Sequence, residues 1–193
     1  MIVEPALVAA GAALHIGFFN KGEHHLYGVR YLTVATSLYV SALILFTTLT
    51  DTPPREAHSV LSPFALLFLS GLYGSLCTYR LVFHPLRSFP GPLSFKLSSL
   101  AFSFRLYRLD AHTQLLNLHK KYGEFVRLGS SDLSISNPKA LEAVYGRGSK
   151  CGKADWYDLT LPMTSMQTTR RKGEHDARRR VWGNAFNDSI MRG

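Results

Sequence analysis

The chain has 193 residues, of which 46% are hydrophobic, and it carries a formal net charge of +9. Its two cysteines, Cys77 and Cys151, stand far apart, which excludes a disulfide framework and a multi-cysteine metal site. Residues 1–84 hold four Lys or Arg and four acids, so the whole positive excess lies in residues 85–193. A basic part behind an apolar leader favours a membrane surface, a nucleic acid or an anionic cofactor as partner, and charge alone does not choose among them.

Three apolar runs predict a membrane anchor over residues 1–82. Residues 31–50 are 20 positions without Asp, Glu, Lys, Arg or His, which is the length that a helix needs to cross the hydrocarbon layer. Residues 59–79 form a second uncharged run, whose Ser, Gly and Pro residues a neighbouring helix can accommodate. The first run, residues 5–19, is shorter and contains His15, so we expect two or three spans.

Two other interpretations of the apolar runs are weaker. A cleaved signal peptide is disfavoured because Glu4 stands where a positive leader is expected and two more apolar runs follow. A buried helical hairpin of a soluble protein usually shows a polar stripe, which these runs lack. Because the Lys and Arg excess follows residue 80, the positive-inside rule predicts that the C-terminal part is cytoplasmic.

A proline-rich hinge is predicted at residues 83–94, where Pro85, Pro90 and Pro92 stand close together. Proline fixes its own φ and disfavours a helical residue before it, so the last membrane helix should end here. The following residues, 95–106, are apolar and basic. They suit either a segment lying against lipid headgroups or an ordinary buried helix.

Regular elements are predicted after the hinge. Residues 111–123 place apolar side chains at helical spacing and end in Lys-Lys-Tyr-Gly, a normal helix exit. Residues 125–137 alternate around Gly-Ser-Ser and predict a β-hairpin. Asn137 and Pro138 then favour the start of another helix.

The last part of the chain is predicted to be a long loop, residues 147–172, followed by a basic helix over residues 174–186. His175 and Arg179 lie four positions apart, so their side chains share one face and can address one ligand together. The alternative is a solvated basic face without a ligand.

The order of these segments resembles the amino-terminal third of fungal, membrane-anchored cytochrome P450 monooxygenases. The resemblance covers roughly residues 82–188 and rests on an ordered series of segments: FHPLRSFPGP, LHKKYGEFVRLGSSDLSISNPKALEAVYG, KADWYD and EHDARRRVWGNAFND. It implies a mainly α fold in which two or three transmembrane helices precede helix A, the first hairpin of sheet 1, helix B and helix C. Residues 95–193 are then the incomplete N-terminal part of the catalytic domain.

In this family, helix C presents a basic residue, and an aromatic residue or His one turn earlier, to the haem propionates. By resemblance these positions are Arg179 and His175. A guanidinium can bind a carboxylate in a forked geometry, and an imidazole can donate a hydrogen bond. Arg178 and Arg180 are expected to point elsewhere, toward the surface or the membrane.

The family's iron-binding cysteine lies in a C-terminal FxxGxRxCxG loop, which this sequence does not contain. The segment around Cys151 imitates that loop, but its basic residue directly precedes the cysteine and its aromatic spacing is one short. We therefore expect Cys151 not to bind iron, and we assign no catalytic residue and no metal ligand. The family's oxygen-activating and ExxR pairs are also missing from the sequence, which predicts an inactive amino-terminal fragment that does not retain haem.

Three function hypotheses remain. The leading one is the anchor and first elements of a haem-thiolate monooxygenase in the endoplasmic reticulum membrane. By resemblance, its partners are membrane lipid and an NADPH-dependent flavoprotein reductase. The second is a small polytopic membrane or scaffold protein whose basic cytosolic surface binds lipid or a partner without catalysis. Nucleic-acid binding is a weak third, because the basic residues follow a membrane leader and lack interleaved aromatics.

Overall fold

The computed structural model describes residues 3–146 and 148–186. Within them the chain is mainly helical with one two-stranded sheet, which confirms the predicted fold class. The α-helices and strands are α1 (Val3–Leu14), α2 (Gly28–Thr50), α3 (Pro54–Thr78), α4 (Leu93–Leu97), α5 (Leu100–Leu106), α6 (Ala111–Tyr122), β1 (Phe125–Arg127), β2 (Leu133–Ile135), α7 (Lys139–Tyr145) and α8 (Lys172–Ala185).

The three predicted apolar runs all form helices, which extend beyond the runs themselves. α1 continues into a π-helical turn at His15–Phe19, and α3 into another at Tyr79–Phe83. Two of the resulting helices, His25–Thr50 and Pro54–Phe83, are long and apolar enough to cross a membrane, whereas Val3–Phe19 is shorter. α3 starts five residues before the predicted run 59–79 because Pro54 suits the first turn of a helix.

α1 packs closely along α3 through two glycines. A Cβ atom placed on Gly11 would meet the backbone of Phe68, and one placed on Gly71 would meet the backbone of Val8. Near the far end of α1, Nδ1 of His15 lies 2.9 Å from Oγ of Ser75. Since positions later in α1 contact positions later in α3, the two helices run parallel. Small residues allow this approach of two backbones.

The end of the apolar helix Pro54–Phe83 is joined to the hairpin by a buried arginine, Arg127, whose side chain has no exposed surface. Its Nη1 donates to the carbonyl of Arg80 at 3.0 Å, and its Nη2 and Nε donate to the carbonyls of Ser130 and Gly129 at 2.6 and 3.1 Å. The side chain of Arg80 makes a separate contact, in which Nη1 donates to the carbonyl of Leu97. The predicted hinge is shorter than 83–94, since α4 already begins at Leu93.

The predicted hairpin is confirmed, with Val126 paired to Ser134 in an antiparallel ladder. α6 packs against β1, and the helix boundaries 111–122 agree with the prediction. Asn137 accepts a hydrogen bond from the amide of Lys139 at 2.9 Å, so it caps α7 from outside the helix. The core beneath these elements is small: its buried apolar side chains are Phe95, Leu118 and Val126.

Candidate functional site

α8 carries the two residues that the sequence predicts as ligand contacts. His175 and Arg179 lie one turn apart within Lys172–Ala185, so they share one face of the helix. The helix starts two residues earlier than predicted, and the amide of His175 already donates to the carbonyl of Arg171 at 3.0 Å. Residues 187–193, the end of the sequence segment compared above, lie outside the described residues.

His175 is held by the neighbouring carboxylate. Its Nδ1 lies 3.2 Å from Oδ1 of Asp176, and 29% of its side chain is exposed. This hydrogen bond is the main reason why the pKa of Asp176 is lowered, with Lys172 and Arg179 adding to the effect. Asp176 therefore stays ionised and orients the imidazole through Nδ1, which leaves Nε2 as the atom for a ligand.

Arg179 and Arg180 are both exposed, whereas Arg178 has a role that the sequence did not predict. Nη1 of Arg178 donates to the carbonyl of Thr164 at 2.7 Å, and the guanidinium also reaches the hydroxyls of Thr164 and Thr169 at 3.0 and 3.1 Å. The expectation that Arg178 faces the surface or the membrane is therefore wrong. Arg178 ties α8 to the preceding loop.

Two aromatic residues extend the His175 and Arg179 face along α8. Trp182 and Phe186 follow at helical spacing, and their rings stack with centroids 6.4 Å apart. Their side chains are 57% and 67% exposed, respectively. In the sequence, the spacing 175, 179, 182 and 186 indicates this amphipathic stripe. The stripe offers hydrogen-bond donors at one end and flat apolar surface at the other.

The loop before α8 is more ordered than its composition suggests. It contains a 3₁₀ helix at Asp155–Thr160. Nζ of Lys153 donates to the carbonyls of Met166 and Gln167 at 3.1 and 2.6 Å, which closes the loop on itself. Thr169 is buried and donates to the carbonyl of Ser165 at 2.6 Å. Arg147, at the start of the predicted loop, lies outside the described residues.

The two cysteines of the chain both lie outside α8. Cys151 is exposed on the loop, and its amide donates to the hydroxyl of Ser149 at 3.1 Å. Cys77 is half-buried within α3.

A charged cluster joins this loop to the loop between α1 and α2. Glu23, His25 and Asp158 bring potential ligand atoms within 4.8 Å of one another. Arg170 lies between the two carboxylates and bonds to both. The arginine supplies the positive charge that a metal ion would bring, so the cluster is an ion-pair network among the described residues.

The chain is similar in sequence to fungal cytochrome P450 monooxygenases. It is 40% identical over 184 residues, or 95% of its length, to the cytochrome P450 monooxygenase notG' of Aspergillus versicolor. It is also 40% identical over 191 residues to a tryprostatin B 6-hydroxylase of Neosartorya fischeri, covering 95% of this chain. A 128-residue part, 66% of the chain, is 48% identical to the monooxygenase sthD of Phaeosphaeria nodorum, covering 27% of that protein.

No protein-family model and no solved structure matches the chain. The chain spans about a third of the length of the curated relatives it matches, with 34% of both notG' and the Neosartorya hydroxylase covered. The similarity to them nevertheless extends over 95% of its own residues. By sequence, the chain is therefore similar to fungal cytochrome P450 monooxygenases over most of its length.

Proposed function

We propose that this chain is the membrane-anchored, amino-terminal portion of a haem-thiolate monooxygenase that oxidises a small organic substrate with O₂. The observation that carries the proposal is the placement of His175 and Arg179 one turn apart on an open face of α8. The thiolate that such a reaction needs is encoded outside these residues, so the chain on its own is inactive and does not retain haem.

The donor set on α8 fits the acidic edge of a haem. A haem has two carboxylates on a rigid ring, and the exposed guanidinium of Arg179 suits one of them in a forked geometry. Nδ1 of His175 gives its hydrogen to Asp176, so Nε2 would donate to a haem carboxylate in the imidazolium form of the ring. When bound, thiolate-ligated haem supplies the activation of O₂.

Trp182 and Phe186, the remaining residues of the stripe, shield the carboxylate contacts from water, and Arg178 orients α8. The stacked rings of Trp182 and Phe186 offer flat apolar surface next to the donors, which would exclude water from the carboxylate contacts. Arg178 holds α8 against the loop through Thr164 and Thr169. The loop 147–172 contributes to the roof of the substrate pocket in a complete enzyme of this family.

We place the anchor in the endoplasmic reticulum membrane with three crossings, at spans 5–19, 31–50 and 59–79. Support comes from the parallel run of α1 and α3, which requires that α2 returns in the opposite direction. The apolar side chains of α2 are largely exposed, for example Val29 at 79% and Leu49 at 75%, which suits a lipid environment. The part after Phe83 then faces the cytoplasm, where an NADPH-dependent flavoprotein reductase is the electron donor.

The first test is spectroscopic and uses the longer polypeptide encoded by the same locus. Joined to its downstream catalytic part, the chain should give the reduced carbon-monoxide Soret band of thiolate-bound haem, whereas the 193-residue chain should not. Transcript sequencing past residue 193 identifies that part. A locus without a cysteine loop downstream, or the Soret band from the 193-residue chain itself, would refute the proposal and favour the polytopic scaffold alternative.

The second test addresses the haem contacts directly. In the longer polypeptide, Arg179→Ala should weaken haem retention by roughly 10- to 100-fold, because a charge-assisted hydrogen bond contributes about 1.5–3 kcal/mol. His175→Ala should weaken it less. Arg180→Ala is the matched control, one position away on a different face, and should retain haem normally. Equal losses for Arg179→Ala and Arg180→Ala would show a general charge effect instead of a specific contact.

A further inference from the structure

Two loops that are far apart in the chain meet through a bidentate ion pair. Residues 20–27 connect α1 to α2, and Arg170 stands just before α8. Arg170 Nη2 lies 2.7 Å from Oε1 of Glu23, and Nη1 lies 2.9 Å from Oε2. This forked geometry is the most specific arrangement that an arginine and a carboxylate can form.

The same guanidinium also holds its own loop. Arg170 Nη1 bonds to Oδ2 of Asp158, and its Nε donates to the carbonyl of Lys153 at 3.3 Å. The side chains of Arg170 and Asp158 are only 25% and 17% exposed, so solvent screens their contacts less than those of a surface pair. The side chain of Glu23 is more exposed, at 54%.

A second contact runs parallel to the first. Nε2 of His25 lies 3.1 Å from Oδ2 of Asp158, and its Nδ1 lies 3.6 Å from Oδ2 of Asp155. The loop 20–27 therefore contacts segment 153–170 at two points, through Glu23 and His25. Two points fix an orientation, whereas one isolated ion pair would fix only a distance.

The direction of the helices makes this contact compatible with a membrane. Since α1 and α3 run parallel, the end of α1 and the end of α3 lie at the same side of the anchor. Loop 20–27 follows α1, and the basic part of the chain follows α3. The two loops can thus meet on one side of a bilayer without either crossing it.

We propose that loop 20–27 is an intramolecular docking surface for segment 153–170, with Glu23 and Arg170 as its central pair. The acidic partner comes from the anchor and the basic partner from the cytosolic part. Because α8 begins two residues after Arg170, the docked segment fixes where α8 starts relative to the membrane. Glu23 is accordingly a positioning residue, and this inference holds whether or not α8 binds haem.

Hydrogen exchange of the whole 193-residue chain in phosphatidylcholine nanodiscs tests the docking. Glu23→Arg and Arg170→Glu should each raise amide exchange in segment 153–170 by roughly threefold to tenfold, the range expected for losing one ion pair of a network. The double variant, which exchanges the two charges, should return exchange part of the way to the parent, because it restores the pair of positions 23 and 170 but not the bonds of Arg170 to Asp158 and to the Lys153 carbonyl.

Lys21→Gln is the matched control, because it changes the charge of the same loop outside the network. The backbone carbonyl of Lys21 accepts a hydrogen bond from Nε2 of His24 at 2.7 Å, and this bond does not depend on the side chain that the substitution changes. Unchanged exchange in both single variants would overturn the docking proposal. So would a double variant that exchanges as fast as either single one, since that pattern indicates general destabilisation.

Discussion

The side chain of Arg127 is fully buried, and its Nη1 donates to the backbone carbonyl of Arg80 across 47 positions of sequence at 3.0 Å. Arg80 lies in the last turn of the apolar helix Pro54–Phe83, and Arg127 ends β1. The contact joins anchor and hairpin through carbonyl groups without a carboxylate. Burial is also the main reason why the pKa of Arg127 is lowered, since removal from water disfavours its charge.

Replacing this arginine should loosen the joint between the anchor and the hairpin. Arg127→Leu leaves the carbonyls of Arg80, Gly129 and Ser130 without this donor, and it should cost about 3 kcal/mol of stability. Proteinase K digestion of the chain in nanodiscs should then cut faster within residues 84–92. Arg87→Leu is the control, because Arg87 is exposed and makes one carbonyl contact, to Val82 at 2.7 Å. Equal cleavage of the two variants would contradict a special role for Arg127.

The packing of α1 on α3 should depend on Gly71. Gly71→Ala places a methyl group against the backbone of Val8, and we expect it to cost about 1–3 kcal/mol of helix association. Thermal unfolding in detergent, followed by circular dichroism, measures the loss. Gly74→Ala, in the same helix, is the control, because no described atom lies within 4 Å of a Cβ there. If both variants melt at the same temperature, α1 and α3 do not pack through this contact.

The elements were largely predictable because their signals are local. Uncharged runs predicted the helices α1, α2 and α3, the Gly-Ser-Ser turn predicted the hairpin, and the four-residue spacing predicted the shared face of His175 and Arg179. Each of these follows from neighbours within a few positions. Helix ends were less accurate, since apolar composition does not indicate how far a helix such as α3 extends into its flanking residues.

The connections between elements were not predictable for a physical reason. Glu23 and Arg170 are 147 positions apart, and nothing near either residue in the sequence indicates its partner. Arg127 is a charged residue in a short strand, and nothing in the local pattern predicts its burial. It is nevertheless fully buried and donates to three backbone carbonyls. Arg178 likewise found a partner in a loop that has no periodicity. Long-range polar contacts depend on the fold and are not visible in local patterns.

The docking of loop 20–27 should be lost in acid. The hydrogen bond from Arg170 is the main reason why the pKa of Glu23 is lowered, so the pair stabilises the fold above the unfolded pKa and stops doing so as pH falls through the folded one. The unperturbed pKa of Glu is about 4.3, so the contact should persist at pH 6 and weaken below about pH 4. Asp155, Asp158 and His25 face the same junction, so their own titration contributes to the acid profile as well.

Fluorescence of Trp156, within the 3₁₀ helix Asp155–Thr160, reports on this transition in a Trp182→Phe background. Its anisotropy should fall as the segment is released. Glu23→Gln removes the titrating group, so the part of the acid transition that belongs to Glu23 should disappear in this variant. An identical acid profile with Glu and Gln at position 23 would exclude Glu23 as its source.

Residues 85–193 expressed without the anchor should not fold cooperatively. Among the described residues, their core has three buried apolar side chains, Phe95, Leu118 and Val126, and their sheet has two strands, which is marginal in water. Removing the anchor also takes away the Arg80 carbonyl from Arg127 and the Glu23 carboxylate from Arg170. Circular dichroism should therefore show a broad thermal change, and the purified protein should aggregate or be partly disordered. A single sharp transition with a matching calorimetric enthalpy would contradict this, because it would mean that residues 85–193 are stable without either contact.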